Sequence, residues 1–262
     1  MAFNAVSFTY DGIPGDIYGL MLYEIGSSSG TQSSNTYDAE IQSALSASSR
    51  QYVHYKTVVD KPLEITFTIG SLTPIDALMR GKITAWLMGR QEYKNLRILQ
   101  GDYAGMYFKC IFTKQSTIFV NGLAYAFSIT AVCDSPFVYS APLVQTFDIG
   151  ASETIINVLN KSDILDEYIY PKLEFTATSS LSSLSIKNLN DNNREFAFSN
   201  LVTGETIFAD NENKIITSSS GISRLQSFNK FWFRLVGGLN KVVVAGKGIL
   251  TLTVPVLRKA GF

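Results

Sequence analysis

The order of hydrophobic and polar positions divides the chain into short alternating segments, with one stretch of a different period. Between Thr73 and Gly89, the residues Ile75, Leu78, Met79, Ile83, Trp86 and Leu87 recur at three- and four-residue spacing, which lays a single apolar stripe along a helix. Thr73 suits the N-cap, Pro74 the first helical position where a missing N–H costs nothing, Asp76 the first turn and Gly89 the stop, so a helix is predicted over about 74–88. Such a helix needs a sheet to lie on. Leu63, Ile65, Phe67 and Ile69 alternate with Glu64, Thr66 and Thr68, and Leu123, Tyr125, Phe127, Ile129 and Ala131 share one side of a second strand. Further strands are read at 96–99, 106–112 and 115–120, the last joined to Leu123 by Asn121-Gly122, a hairpin dipeptide.

Upstream, 3–10 and 18–25 read as an opening hairpin around the Asp-Gly and Pro-Gly signals of Asp11 to Gly15. Serine then fills nine of the 24 positions from Gly26 to Ser49, leaving too little apolar material for the segment to bury itself. Together with a strand at 51–59 it is expected to form an extended arm over about 26–60, either ordering against a neighbour or remaining a mobile loop. Pro136 and Pro142 bracket a stretch that is not expected to continue a central strand, so the boundary is drawn there, giving domains 1–140 and 141–262. In the second, apolar segments at 172–176, 184–186, 195–198, 206–208, 214–217, 228–233, 241–245 and 249–256 are separated by Asn-, Ser- and Gly-rich turns, a pattern for a β-sandwich. The expected fold class is therefore mainly β: a sandwich- or barrel-like first domain with one α-helix and an arm, then a β-sandwich.

Composition narrows the functional classes. The 262 residues carry 22 basic and 22 acidic side chains, 10 against 11 before position 141 and 12 against 11 after it. Neither half has the basic footprint that phosphate contacts require, so nucleic-acid binding is set aside. Charged residues make up only 17% of the chain, against 46% hydrophobic, a charge-poor surface suited to contact with neighbouring subunits. No run of about 18 apolar residues occurs, and the opening residues lack the features of a signal peptide, so cytoplasmic synthesis without a membrane span is expected. Cys110 and Cys133 lie in apolar alternating segments and read as small hydrophobes, with a bridge left open should their strands pair.

Candidate chemistry is sparse. His54, the sole histidine, sits in a strand pattern, which removes histidine-based metal clusters and leaves any Ser-His-Asp arrangement dependent on this one residue. Gly246-Lys247-Gly248 lacks the spacing of a phosphate loop and reads as a hairpin turn. The run from Asn188 to Asn193 resembles an oxygen-rich calcium loop but lacks its glycine and glutamate, and reads as a polar turn. Asp163, Asp166, Glu167, Asp210 and Glu212 supply carboxylates for glycosidase chemistry, yet nothing selects a pair. In a strand over 228–233, Phe231 and Phe233 would face the core and Trp232 would face outward, making Trp232 the candidate glycan contact. No catalytic residue, cofactor or metal site is expected, and the protein reads as non-enzymatic.

The strand close Ile129-Thr130-Ala131-Val132-Cys133-Asp134-Ser135-Pro136-Phe137 and the late passage GGLNKVVVAGKGILTLTV, in this order and spacing, resemble the distal tail (Dit) proteins of long-tailed bacteriophages over nearly the whole chain. The resemblance implies a structural subunit of the virion at the distal end of the tail. It implies a homo-hexameric ring, as one ring or two stacked, that continues the tail tube protein through the first domain. It further implies a galectin-like or carbohydrate-module-like second domain turned toward tail-tip, baseplate or receptor-binding proteins. The arm would embrace the adjacent subunit, with Tyr37, Ile41, Leu45, Tyr52 and Tyr55 as its candidate contacts. Galectins read sugar through a histidine-containing constellation, and the second domain has no histidine, so lectin activity of that type is not expected. The alternative function is a carbohydrate-binding sandwich that contacts host-surface glycans.

Overall fold

Alternation decides most of the strands and one capping carboxylate decides the helix. The computed structural model describes residues 6–25, 38–45, 51–59, 62–99, 103, 105–164 and 167–259. The chain divides into two compact units, one running to Tyr139 and the other from Ser140 to Arg258, with Lys259 returning to the first.

In the first unit seven antiparallel strands lie in the order Met21–Ile25, Glu64–Gly70, Leu123–Cys133, Met106–Val120, Lys94–Ile98, Phe8–Tyr10 and Ile13–Pro14. Val6 and Leu22 exchange both backbone hydrogen bonds at 2.8 Å, which brings the two ends of this sheet together in a barrel-like curl. The expected opening hairpin of 3–10 and 18–25 is reduced to this one bridge: Phe8–Tyr10 pairs with Lys94–Ile98 and Ile13–Pro14, and Met21–Ile25 pairs with Glu64–Gly70. The helix is Ala77–Met88, three residues shorter at its start than predicted. The Asp76 carboxylate accepts the Met79 N–H at 2.7 Å and so becomes the N-cap, while the Ile75 N–H donates to the Ala124 carbonyl at 2.7 Å and holds Thr73 to Ile75 outside the helix. Ile83, Trp86 and Leu87 are buried as the stripe requires, whereas Leu78 is exposed. Trp86 stacks on Tyr18 and Phe8, with centroids 4.9 and 6.0 Å apart, and its Nε1 donates to the Tyr10 carbonyl at 3.4 Å. Cys110 and Cys133 are register partners across their strands and are both buried free thiols; burial pushes the Cys133 thiol up to about 12.

Within the serine-rich stretch expected to lack structure, Asp38–Leu45 is a strand, paired with Gln51–Val59 in a two-stranded ribbon. Backbone pairing, which serine does not prevent, supplies the order that apolar burial could not. His54 is the residue skipped where the register shifts, between Gln42↔Tyr55 and Ser43↔Val53. Pro142 does not break its segment, since Phe137–Ile149 is one strand of 13 residues. A proline is compatible with a strand wherever its missing N–H has no ladder partner to find.

The second unit has two antiparallel sheets, each buried on one face. One runs Thr154–Asn160, Gly238–Ala245, Leu181–Asn188, Arg194–Leu201; the other includes Ile215–Ser218, Thr206–Asp210, Lys172–Ala177 and Gly248–Lys259 in that order. Gly246-Lys247-Gly248 is not a hairpin turn, because the strands on its two sides belong to different sheets; it is the corner where the chain crosses between them. Gly246 has φ +139, and a Cβ on Gly248 would stand 2.6 Å from a ring carbon of Phe175.

Glu205, fully buried, receives a bidentate pair from Arg224 at 2.7 and 2.6 Å, with Ser218 Oγ donating at 2.6 Å and the Val202 N–H at 3.1 Å. Burial pushes this carboxyl up, but the hydrogen bonds from Arg224, Ser218 and Val202 outweigh it and hold it at about 2. The pair ties the irregular segment 219–227 to the edge of its sheet.

Gly248→Ala lowers unfolding stability by about 1–3 kcal/mol through overpacking, whereas Gly150→Ala, with nothing within 4 Å of its Cβ position, changes it little, as read from urea titration. Because Glu205 has a folded pKa below its ordinary 4.5, its contribution is present above pH 4.5 and is lost as pH falls toward 2. Stability between those limits therefore declines more steeply in the wild type than in Glu205→Gln. Arg224→Ala at neutral pH costs about 3–5 kcal/mol by stranding a buried charge.

Candidate functional site

The stretch from Phe228 to Phe233 reads as a strand in sequence but is irregular chain in the structure, and this changes which aromatic faces solvent. Phe228 makes an isolated bridge to Phe198 and stacks on it at 4.9 Å. Trp232 is half-buried with its ring edge-on to Phe228 at 5.0 Å, and its carbonyl accepts from Arg194 Nε at 3.2 Å. Phe233 is buried, and Phe231 is the exposed ring at 52%. The strand expectation had placed Phe231 inward and Trp232 outward; without the ladder, strict alternation does not hold.

Phe231 is fixed from below. Asn229 Oδ1 accepts the N–H groups of Phe231 and Ala197, both at 3.2 Å, and its Nδ2 donates to the Glu195 carbonyl at 2.9 Å. Lys230 between them holds φ 65, a left-handed conformation unusual for a lysine. Across from the ring, the Arg194 guanidinium stands 5.1 Å from its centroid. These side chains, with Asp191, Asn193, Glu195 and Arg234, line an open cleft of about 470 Å³. Arg234 closes one wall, bidentate to Asp191 at 2.7 and 3.0 Å and lying 3.5 Å over the Tyr168 ring. The polar turn from Asn188 to Asn193 supplies the rim, with Asn192 and Asn193 both at positive φ. Sequence reasoning chose Trp232 and missed Phe231, Asn229, Arg194 and Glu195. An asparagine two residues ahead of an aromatic, which can turn the backbone through its own side chain, was the available signal.

Two of the candidate carboxylates are engaged structurally. Asp163 pairs with Arg258 at 2.7 Å; Asp210 is bound by Asn213 and Lys172; Glu167 and Glu212 are exposed; Asp166 lies outside the described residues. Among the described residues no group of three or more His, Cys, Asp or Glu side chains is arranged to hold a metal ion, and no helix is long and apolar enough to cross a membrane.

In the first unit, Ile41 and Leu45 belong to the strand Asp38–Leu45, and Tyr52 and Tyr55 to its partner, with Ala44 opposite Tyr52 and Gln42 opposite Tyr55. Tyr37 lies outside the described residues. A second surface was not anticipated. The hairpin tip carrying Phe119, Val120 and Leu123 adjoins the start of the helix, tied there by Ile75 N–H to Ala124 and Ser71 N–H to the Tyr125 carbonyl at 2.8 Å, with Arg80 over the Phe119 ring at 5.6 Å. Phe119, Val120 and Leu123 are each about half exposed, so the tip forms one apolar patch; Leu72 and Leu78 are exposed as well, at 82% and 72%. An apolar run flanking a two-residue turn was its sequence signal, because a hairpin tip leaves a sheet rather than entering its core.

Residues 3–135 match a family described as the phage tail protein N-terminal domain, and residues 137–254 one described as the phage tail C-terminal domain. No curated protein sequence matches. Among solved structures, the chain superposes on the Dit protein (gp 19.1) of phage SPP1, described as a paradigm of the hub adsorption apparatus in phages infecting Gram-positive bacteria. That match has a TM-score of 0.67 and 11% identity, covering 96% of this chain and 99% of that one. It also superposes on chains of the phage P2 baseplate in its activated conformation, with calcium at TM-score 0.54 and 8% identity over 97% and 98% of the two chains, and with strontium at 0.53 and 9% over 96% and 98%. At these identities the structures share a fold, while the two domain matches span nearly the whole sequence: the chain belongs to the phage tail protein family, with the mainly β fold of the Dit hub.

Proposed function

We propose that this protein is the ring-forming hub of a phage tail tip, in which six copies close through the first unit, continue the tail tube and present the second unit to baseplate or host-adsorption proteins. The protein acts structurally and performs no chemistry. The observation that carries this reading is the apolar hairpin tip of Phe119, Val120 and Leu123, since such a cluster is costly on a monomer and suits a permanent contact with a second copy. Obligate interfaces commonly bury about 2,000 Å² or more, so the patch serves as one part of the contact and the ribbon of Asp38–Leu45 and Gln51–Val59 as another, reaching the adjacent subunit. The matched SPP1 protein, described as an adsorption hub, supports the same role at the tail end.

Native mass spectrometry of the full chain, with negative-stain class averages, is expected to give six copies or two stacked sets of six. Phe119→Asp and Leu123→Asp, both at exposed positions of the tip, leave the melting temperature near that of the wild type and shift the population to monomers. A ring that survives both substitutions would exclude this patch from the interface. A wild-type monomer that also fails to close when mixed with its tail tube protein would remove the ring itself.

A further inference from the structure

The geometry points to a saccharide-binding cleft in the second unit, built on Phe231 rather than on Trp232 and selective for neutral sugars. Its first component is the ring. A large aromatic side chain ordinarily gains by burial, yet Phe231 is held outward by the Asn229 clamp and by the left-handed backbone of Lys230. Strain spent on exposing a ring suits a ligand with an apolar face, and the C–H face of a pyranose is one. The second component is the set of unengaged polar atoms. Arg194 uses Nε on the Trp232 carbonyl, leaving its terminal nitrogens without an acceptor among the described residues. Glu195 takes Ser185 Oγ on one carboxylate oxygen and leaves the other open. A guanidinium that donates and a carboxylate that accepts, set beside one ring, match neighbouring hydroxyls, each of which can accept and donate.

Charge selects the class. Arg234 and Asp191 neutralise each other within the wall, and Arg194 and Glu195 contribute one charge of each sign, so the cleft has no net field to favour an anion or a cation. A volume of about 470 Å³ falls within the range of roughly 300–1,000 Å³ usual for small-molecule sites. The lining contains no histidine, which separates this arrangement from the constellation galectins use. The inference is independent of ring assembly, because every residue named belongs to the second unit.

The test uses the full-length chain on an array of neutral, N-acetylated, uronate-bearing and sialylated oligosaccharides, followed by calorimetric titration of the strongest hit. Binding to neutral or N-acetylated sugars is expected, weakened about tenfold or more in Phe231→Ala and in Glu195→Gln, and unchanged in Ile17→Ala at an exposed position of the other unit. Phe231→Leu, which keeps an apolar side chain over Arg194 but removes the ring face, guards against loss by local unfolding and is expected to bind as weakly as Phe231→Ala. Four results would overturn the proposal: no binding on the array, binding indifferent to Phe231 and Glu195, a hit lost only in Trp232→Ala, or a preference for acidic sugars that disappears in moderate salt.

Discussion

A buried peptide group has to find a partner, and the stretch from Asn229 to Gly237 leaves the β-ladder while staying inside the second unit. Buried asparagines take over what a neighbouring strand would supply. Asn211 accepts the Phe233 N–H and donates to the Pro171 carbonyl; Asn188 donates to the Arg234 carbonyl; Asn240 accepts the Val236 N–H, and together with Asn160 it donates to the Val236 carbonyl. Leu235 alone among the residues between them keeps a backbone exchange, with Ile169. Each amide is nearly inaccessible and each satisfies both its donor and its acceptor side, so the backbone groups of Phe233, Arg234 and Val236 that they meet are bonded as a ladder would bond them. Everything particular to the cleft depends on this. A ladder would have alternated the aromatic run, with Phe231 inside and no clamp at Asn229.

The first unit meets the same requirement differently. Its helix is held by an aromatic cluster in which Trp86 has both roles, stacking on Phe8 and Tyr18 and donating to the Tyr10 carbonyl. Tyr10 in turn packs on Phe112 at 4.6 Å, and Phe112 on Phe67, so the chain of rings crosses from the helix through the curled sheet. Packing of this kind is read from periodicity, because apolar residues have no directional partner to satisfy. That is why Leu63 to Ile69, Leu250 to Val256 and the buried stripe of the helix were legible from sequence. The parts that were not legible are those where a directional bond overrides the pattern. Asp76 captures the cap that Thr73 was expected to provide; Asp38–Leu45 orders by pairing although its segment is poor in apolar residues; the buried asparagines convert a strand-like run into a clamp. Proline and glycine misled in the same way, since Pro142 lies within a strand and the Gly246 to Gly248 turn links two sheets rather than two neighbours.

The candidate surfaces were partly legible for the same reason. A balanced, charge-poor composition without a catalytic constellation already indicated a protein that works by contact. Where the contact lies depends on exposure, and exposure of Leu78 or Phe231 contradicts the periodic expectation for both. Leu78 fits the apolar stripe by spacing but falls at its margin, turned away from the side where Arg80 meets Phe119 and Thr84 meets Gln115.

The two surfaces differ in a way that fits different lifetimes of contact. The patch around Phe119 has few polar groups to satisfy, gains by exclusion of water and loses that gain whenever it is uncovered, so it suits a partner that stays. The cleft beside Phe231 is solvated when empty. Arg194 and Glu195 can return to water at little cost, the ring is held by its clamp whether or not it is covered, and a ligand can therefore leave without disturbing the sheet beneath. In the proposed hub, a subunit that stays in its assembly while releasing a ligand needs one surface of each kind.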